Sequence, residues 1–529
     1  MQKFEIKVIR DNRTCIVLAE EGKNLLEQLR EAGIYISAAC GGKGKCGKCK
    51  VRMTMGATEA TEADCRFLEE AELAAGWRLA CLSYPAADCT LEIVSDDESE
   101  FEVVAEHREE QQEHGAAAGA CAIAVDIGTT TLAIQLVERE SKRLLHTVTG
   151  INHQRAYGAD VISRIQTSND GKGAELTESI RQDLLRGIGR LLLEYPVEPE
   201  QIGAVAIAGN TTMGHLLMGY PCETLGVYPF TPVNIETISL PFEDLFQEQL
   251  TQAGEQEICR RIRAEVTLLP GITTYVGADI SAGLLSCGFD RLEEPCILID
   301  LGTNGEMAIG NKDRILVTST AAGPAFEGGN ISCGMGSVPG AICKVRIQDN
   351  GAEVATIGDK PPVGLCGTGV IETVCELLEQ ELIDETGMLE EDYFDDGYEL
   401  ARTPEGEPIV FTQKDVREIQ LAKSAVRAGV ETLMRRYGVT PGEVCHVYLA
   451  GGFGYKIDLA KTIAIGMLPE EFAEKTTAVG NSSLGGAVEY LAGPEAGRRL
   501  MQIVERSTEI ELSSDKDFNQ FYTDYMFFE

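Results

Sequence analysis

Cys121-Ala-Ile-Ala-Val-Asp126-Ile-Gly128-Thr129-Thr130-Thr-Leu-Ala-Ile-Gln-Leu136 reads as an apolar strand, a tight Asp-Ile-Gly-Thr-Thr turn and a second apolar strand. An aspartate at the end of a buried strand can hold a hydrated divalent cation. The Gly and Thr groups that follow offer backbone N–H and hydroxyl donors to phosphate. One such hairpin says little, because an acid before a glycine turn is common. The chain, however, repeats the plan about 174 positions later: Cys296 to Ile309 is CILIDLGTNGEMAI, with Asp300 in the place of Asp126.

A third motif, VYLAGGFG from Val447 to Gly454, is an apolar strand ending in Gly451-Gly452. In this order the three resemble the phosphate and adenosine motifs of the acetate kinase, sugar kinase, chaperone and actin superfamily. The resemblance covers residues 121 to about 490 and implies ATP held between two ribonuclease-H-like lobes. It further implies that Asp126 and Asp300 organise Mg²⁺ and water, with Glu306 as a supporting acid. Gly128, Thr129, Thr130, Gly302, Thr303 and Asn304 would contact phosphate, and Gly451 and Gly452 would border the nucleoside. A glycine turn used only for packing is the competing reading of any single motif. Between the motifs, AIAGNTTMG (206–214), AAGPAFEGGNISCGMGSVPG (321–340) and GLCGTG (364–369) are rich in small residues. The longest is too rich in glycine for a stable interior helix. Such backbone can approach a flat ligand or phosphates, or simply form loops at a lobe interface.

Upstream, Phe4, Ile6 and Val8 alternate, a polar turn follows at Asp11 and Asn12, and Cys15 and Val17 resume the alternation, which predicts a β-hairpin. A helix follows, capped by Asn24, burying Leu25, Leu26 and Leu29 and ending near Gly33. Next comes Ser37-Ala-Ala-Cys40-Gly-Gly-Lys-Gly-Lys-Cys46-Gly-Lys-Cys49, a C-x5-C-x2-C run in which glycines let the backbone fold around a cluster. It has one residue more in its first gap than the plant-type spacing. Gly42 to Gly47 also satisfies G-x-G-x-x-G, and Gly42 to Lys48 G-x-x-x-x-G-K, but Cys49 stands where Ser or Thr is needed and Lys50–Met55 reads as a strand, not a helix. A structural zinc site is the other alternative, weakened because C-x2-C is not repeated. The run resembles the adrenodoxin-type [2Fe–2S] ferredoxins, a β-grasp fold. That resemblance places the fourth ligand at Cys81 in GWRLACLSY, ahead of Cys65 and Cys89. Lys43, Lys45 and Lys48 could offset cluster charge, guide a docking partner, or only be solvated.

The chain of 529 residues exceeds one ordinary core, so about three domains are expected. The sequence divides into 1–94, a linker at 95–120 dense in Glu, Asp, Gln and small residues, a first lobe at 121–290 and a second at 291–529. Its composition makes the linker a flexible or partly helical tether that lets the cluster domain move. A net charge of −38 argues against nucleic acid and anionic membranes as partners. No apolar signal core or membrane-spanning run is apparent, which predicts a cytoplasmic protein. Of the 17 cysteines, Cys121, Cys222, Cys259, Cys296, Cys375 and Cys445 read as small buried hydrophobes. None of the six histidines lies in a motif.

Taken whole, the chain resembles the reductive activators of corrinoid proteins, on the C-x5-C-x2-C run with Cys81, VDIGTTT from Val125, IDLGTNGE from Ile299, GPAFEGGNISCGM from Gly323 and LAGGFG from Leu449. The resemblance implies ATP-dependent, one-electron reduction of cobalt(II) corrinoid to cobalt(I) for methyl transfer. The corrinoid protein of a methyltransferase system and a low-potential electron donor would be its partners, and a homodimer is one possible arrangement. Ser332 to Met335 is expected to face the corrinoid, with Ser332 offering cobalt an oxygen. Some relatives carry a further middle domain before the ATPase module, whereas only about 25 residues separate the two parts here. Three rivals stand beside this reading. They are a redox-regulated small-molecule kinase, a radical-dehydratase activator with a second cluster on Cys287, Cys333 and Cys366, and a non-enzymatic carrier.

Overall fold

A computed structural model describes residues 3–10, 13–36, 38, 40–93, 120–250, 255–348, 351–454 and 457–528. The turn expected at Asp11 and Asn12 and the tether expected at 95–119 lie outside these residues.

The first module is a five-stranded sheet in the order Arg13–Glu20, Lys3–Arg10, Cys89–Glu92, Lys50–Met55, Trp77–Leu79. Phe4, Ile6, Val8, Val17 and Ala19 alternate into its core. Helix Leu25–Glu31 covers that core: the Asn24 side chain caps it by accepting from the Glu27 N–H, and Leu25, Leu26 and Leu29 are buried. Cys15, expected to point inward, is exposed. It lies on the edge strand, and the helix is tied to the other end of that strand, where Gln28 hydrogen-bonds the Glu20 backbone.

The rest of the chain builds two larger sheets on one plan. Cys121–Ile127, Thr131–Glu138 and Leu144–Ile151 form an antiparallel meander, and Ile202–Gly209 and then Glu265–Leu268 add in parallel beside the first strand. Cys296–Leu301, Gly305–Gly310 and Ile315–Thr320 repeat the meander, with His446–Ala450 and Thr476–Gly480 in the parallel places. The sheets differ at the sixth strand: Ile238–Pro241 extends the parallel side of one, Ser507–Glu509 the meander side of the other.

The leading strand of each sheet is buried on both faces, which explains its unbroken apolar run. Ile123, Val125 and Ile127 face a core belonging to the first lobe, and Ile297, Ile299 and Leu301 one belonging to the second. The opposite faces, with Ala122 and Ala124, Cys296 and Leu298, share a third core with the helices Ala278–Cys287 and Ser482–Leu491. These two helices cross backbone to backbone: a β-carbon at Gly486 would run into the Ala282 carbonyl, and one at Gly283 would lie 2.7 Å from the Ser482 hydroxyl.

The small-residue stretches of the second lobe are spent largely on packing against one another. A side chain at Gly328 or Gly334 would strike the other side of its own turn, and one at Gly364 would lie 2.8 Å from the Cys333 carbonyl. Cys121, Cys222, Cys259, Cys296 and Cys375 are buried as expected, but Cys445 is exposed because it sits just outside the strand His446–Ala450. Among the described residues, no helix is long and apolar enough to cross a membrane.

Candidate functional site

Two sites emerge, one of thiols and one of carboxylates. In the first module the loop 40–49 turns on Gly41, Gly42, Gly44 and Gly47, all with φ between +67° and +91°, where a side chain would be strained. The turns gather four thiols as two pairs. Cys49 and Cys81 lie 3.4 Å apart, sulfur to sulfur, and Cys40 and Cys46 are within hydrogen-bonding reach of each other. Interaction with the Cys81 thiol pulls Cys49 down to about 7, while the same contact pushes Cys81 up. Burial opposes ionisation of Cys40, yet the N–H groups of Lys45, Lys43 and Gly42 aim at its sulfur and hold it below the ordinary thiol range. Cys65 is exposed and Cys89 is buried within its strand.

Among the described residues no three His, Cys, Asp or Glu side chains converge to hold one metal ion. Two thiol pairs suit a binuclear cluster instead, with two thiolates for each iron, and the donor set is all sulfur. Nor do Cys287, Cys333 and Cys366 gather into a second metal-holding group among the described residues: the Cys333 sulfur lies against the Val410 backbone and the Cys366 sulfur against the Ile342 carbonyl.

The second site lies at the ends of the two leading strands and the starts of the two crossed helices. In the first phosphate-type turn every carbonyl is tied back into the lobe. Asn152 Nδ2 donates to Gly128 O at 2.9 Å, Arg164 Nη2 donates to Thr129 O, and the Asn152 N–H donates to Thr130 O at 2.9 Å. Asn210 Nδ2 holds the Thr129 hydroxyl at 3.2 Å. The Gly128 N–H closes the turn on Thr131 O, and the Thr129 and Thr130 N–H groups have no protein partner among the described residues. That is an anion-accepting arrangement. In the second turn the Gly302 N–H closes on Asn304 O at 3.0 Å, the Thr303 hydroxyl donates to Glu327 at 2.9 Å and the Asn304 side chain bonds Glu306. Gly451 abuts this turn: at φ +92°, a β-carbon there would sit 2.7 Å from Asp300 Oδ1, whereas Gly452 opens onto free space.

Asp126, Asp300 and Glu306 come together as expected, and a fourth acid joins them. Asp279, at the start of helix Ala278–Cys287, interacts with Asp126, Asp300 and Glu306. Burial first, and the neighbouring carboxylates after it, push Asp279 and Asp300 up to about 7. Glu306, paired across the strands with Asp300, is raised well above its ordinary value, again chiefly by burial. Burial also raises Asp126, against the pull of the Asn481 amide at 2.8 Å and the Ser483 hydroxyl at 2.7 Å. No lysine or arginine among the described residues pairs with any of the four. Acids gathered without a protein cation leave the site short of positive charge, which a divalent cation would supply.

Ser332 stands apart, exposed on the small-residue stretch. Its hydroxyl donates to Asp415 Oδ1 at 3.0 Å, which anchors the Ser332 backbone to the cap of helix Gln413–Tyr437.

Asp279 is the acid that sequence reasoning missed, because GADISAG offers only one acid at a helix start and its neighbours come from other elements. Arg164 was missed too, as a lone arginine in VISRIQT.

Comparison with known proteins shows which family the chain resembles, domain by domain. Residues 294–529 match the family model for the C-terminal domain of RACo, the ASKHA domain, residues 121–292 the RACo middle region, and residues 8–86 the 2Fe-2S iron-sulfur cluster binding domain. The family's middle region is therefore present, and it is the segment read from sequence as the first lobe. The chain is 32% identical over 421 residues to the corrinoid activation enzyme RamQ of Eubacterium limosum, covering 76% of this chain and 69% of that protein. It is 28% identical over 444 residues to the [Co(II) methylated amine-specific corrinoid protein] reductase of Methanosarcina barkeri, covering 76% and 75%. A solved structure of a reductive activator for corrinoid, iron-sulfur protein superposes with a TM-score of 0.67 at 29% identity, over 99% of this chain and 98% of that one.

Proposed function

The chain belongs to the family of reductive activators of corrinoid proteins, and from that premise we propose that it returns a corrinoid protein's cobalt(II) to cobalt(I), with ATP timing the delivery of one electron. The observation that carries this reading is the union, in one chain, of a four-thiol site with a cleft of four acids that lack a protein cation.

Cys40, Cys46, Cys49 and Cys81 would hold the [2Fe–2S] cluster, which when bound supplies one electron at a time. Asp126, Asp279 and Asp300 would hold Mg²⁺ through its waters rather than as three direct ligands, in keeping with an ion that keeps most of its hydration shell beside phosphates. The N–H groups of Thr129 and Thr130 cradle phosphate from the first lobe, and Thr303 and Asn304 from the second. Gly452 leaves room for the nucleoside, while Gly451 lets the chain pass against Asp300. Ionised beside Mg²⁺, Asp279 and Asp300 would orient an attacking water by accepting its hydrogens. Because the Ser332 proton is directed to Asp415, its oxygen keeps lone pairs for the corrinoid face. A low-potential donor would reload the thiol-bound site between cycles.

The test is anaerobic. Purified protein, a cognate candidate corrinoid protein in its cobalt(II) form, a low-potential reductant and ATP should yield cobalt(I) absorbance that is absent without nucleotide. ATP-independent reduction would overturn the timing role, and no reduction of any cognate partner would overturn the reading. An unchanged rate and complex in Ser332→Ala would remove that residue from the corrinoid contact.

A further inference from the structure

The loop that carries Cys40 is seated on the first nucleotide-type lobe. A β-carbon at Gly41 would lie 2.7 Å from the Thr167 hydroxyl and 2.8 Å from the Tyr157 carbonyl, so loop and lobe are fitted at that point. Lys43 Nζ is 3.3 Å from Asp170 and 3.4 Å from the Gln166 amide oxygen. Nearby, Lys172 pairs with Glu27 at 3.0 Å, the Arg30 guanidinium lies 4.4 Å above the Tyr157 ring, and the rings of Tyr35 and His153 are 4.6 Å apart. Most of the lobe side of this seat falls within 153–172, with Ser179 and Arg186 reaching Tyr35 from the helix that follows.

Helix Val161–Thr167 runs through the middle of that segment and carries Arg164, which is fully buried. Its guanidinium binds the seat and the phosphate-type turn together. Nε donates to Gly158 O at 2.9 Å, Nη1 points to Gln154 Oε1 at 3.4 Å and to the Met213 sulfur at 3.2 Å, and Nη2 donates to Thr129 O. The Thr167 hydroxyl closes the seat by donating to Tyr157 O at 2.8 Å. All the hydrogen-bond partners of Arg164 are uncharged; Asp160 and Asp183 act on it only from farther off. A buried cation held by neutral acceptors is expensive until an anion comes close. The adjacent turn, with its unpartnered Thr129 and Thr130 N–H groups, is where an anion would sit.

We infer that Arg164 is a positioning residue that couples phosphate occupancy of the Thr129–Thr130 turn to the seating of the cluster-bearing loop, nucleotide loosening the seat. The inference rests on the nucleotide reading above. Phosphate draws the guanidinium toward the turn and away from Gly158 and Gln154, which flank Tyr157. Because Gly41 has no slack there, a shift of a few tenths of an ångström spoils the fit.

Zero-length carbodiimide cross-linking of the full-length, cluster-loaded protein reads this directly, because Lys43–Asp170 and Lys172–Glu27 are in ion-pair contact. Mass spectrometry should find both adducts without nucleotide, and saturating Mg²⁺ with a non-hydrolysable ATP analogue should lower their yield by about fivefold or more, the low end of allosteric coupling. Arg164→Lys keeps the charge but cannot span the four acceptors, so its adducts should form and no longer respond to the analogue. If a buried lysine is not tolerated, Thr167→Val carries the test: a lost response supports the coupling and a wild-type response overturns it. Calorimetric titration of the analogue into the same sample separates the two claims. Absent binding overturns the nucleotide reading, and binding with unchanged adduct yield overturns the coupling alone. Failure of both adducts to form without nucleotide overturns the seat itself.

Discussion

Asp126 and Asp300 occupy the same place in two copies of one strand order, yet they live in different surroundings. Asp126 accepts from Asn481 and Ser483, whereas Asp300 looks across at Asp279, Asp126 and Glu306 with Ser482 pulling the other way. The donors to Asp126 stand at the start of a helix from the second lobe, and Asp279, which faces Asp300, stands at the start of a helix from the first. Each lobe's acid is attended by the other lobe's helix. The repeated backbone therefore supplies position, and the crossed helices supply chemistry, so one acid is anchored and the other is left in want of a cation.

The widest break in this comparison should come from activity and stability measured together. Asp126→Asn and Asp300→Asn should each lose about 10²-fold or more in ATP hydrolysis, the scale of losing one preorganised electrostatic contact. Their nucleotide-free melting temperatures should move in opposite directions. Asp300→Asn removes a charge from a crowd of acids and should rise, while Asp126→Asn weakens the charge-assisted bonds from Asn481 and Ser483 and makes the Ser483 hydroxyl accept rather than donate, and should fall. Equal shifts would erase the distinction between the two acids.

A smaller effect should separate the adjacent glycines. Gly451→Ala places a β-carbon against Asp300 and the Leu301 carbonyl at a left-handed φ of +92°, and should cost about 2 kcal/mol or more in denaturant unfolding. Gly452→Ala meets open space and should cost less than about 1 kcal/mol, with any loss confined to nucleotide affinity.

The mildest signature is pH dependence. The folded state keeps protons on Asp279 and Asp300 up to about 7, while the unfolded chain releases them near an ordinary carboxyl value of about 4. These groups therefore favour folding most below about pH 4, and that contribution is lost as pH rises through 7. Calorimetry of the nucleotide-free protein should show the melting temperature declining across that window. Asp300→Asn or saturating Mg²⁺ with nucleotide should flatten the slope, and a slope unaltered by either would place its origin elsewhere.

Much of this architecture is legible in the sequence because its signals are local. A strand, an acid and a glycine turn lie within a dozen residues, and the C-x5-C-x2-C loop carries three of its four thiols in ten. What escaped is what the fold brings together from afar. Asp279 has meaning only beside Asp126 and Asp300, and Arg164 only because Thr129, Gly158 and Met213 surround it. Cys15 and Cys445 went astray for another reason: residue type predicted burial, while their places at a sheet edge and just before a strand decided exposure. The glycines at 328, 334 and 364 suggested room for a ligand, but much of that room is filled by neighbouring backbone.

At Gly486 a single absent methyl group lets the two halves of the nucleotide-type module touch through bare main chain. Like the rivet of a pair of shears, such a joint tolerates turning far better than sliding, since any slip along the helix drives Ala282 into the next side chain. A conservative change to alanine there would wedge the blades apart one turn of helix from Ser483 and Asp279, and its damage would resemble that of an active-site mutation.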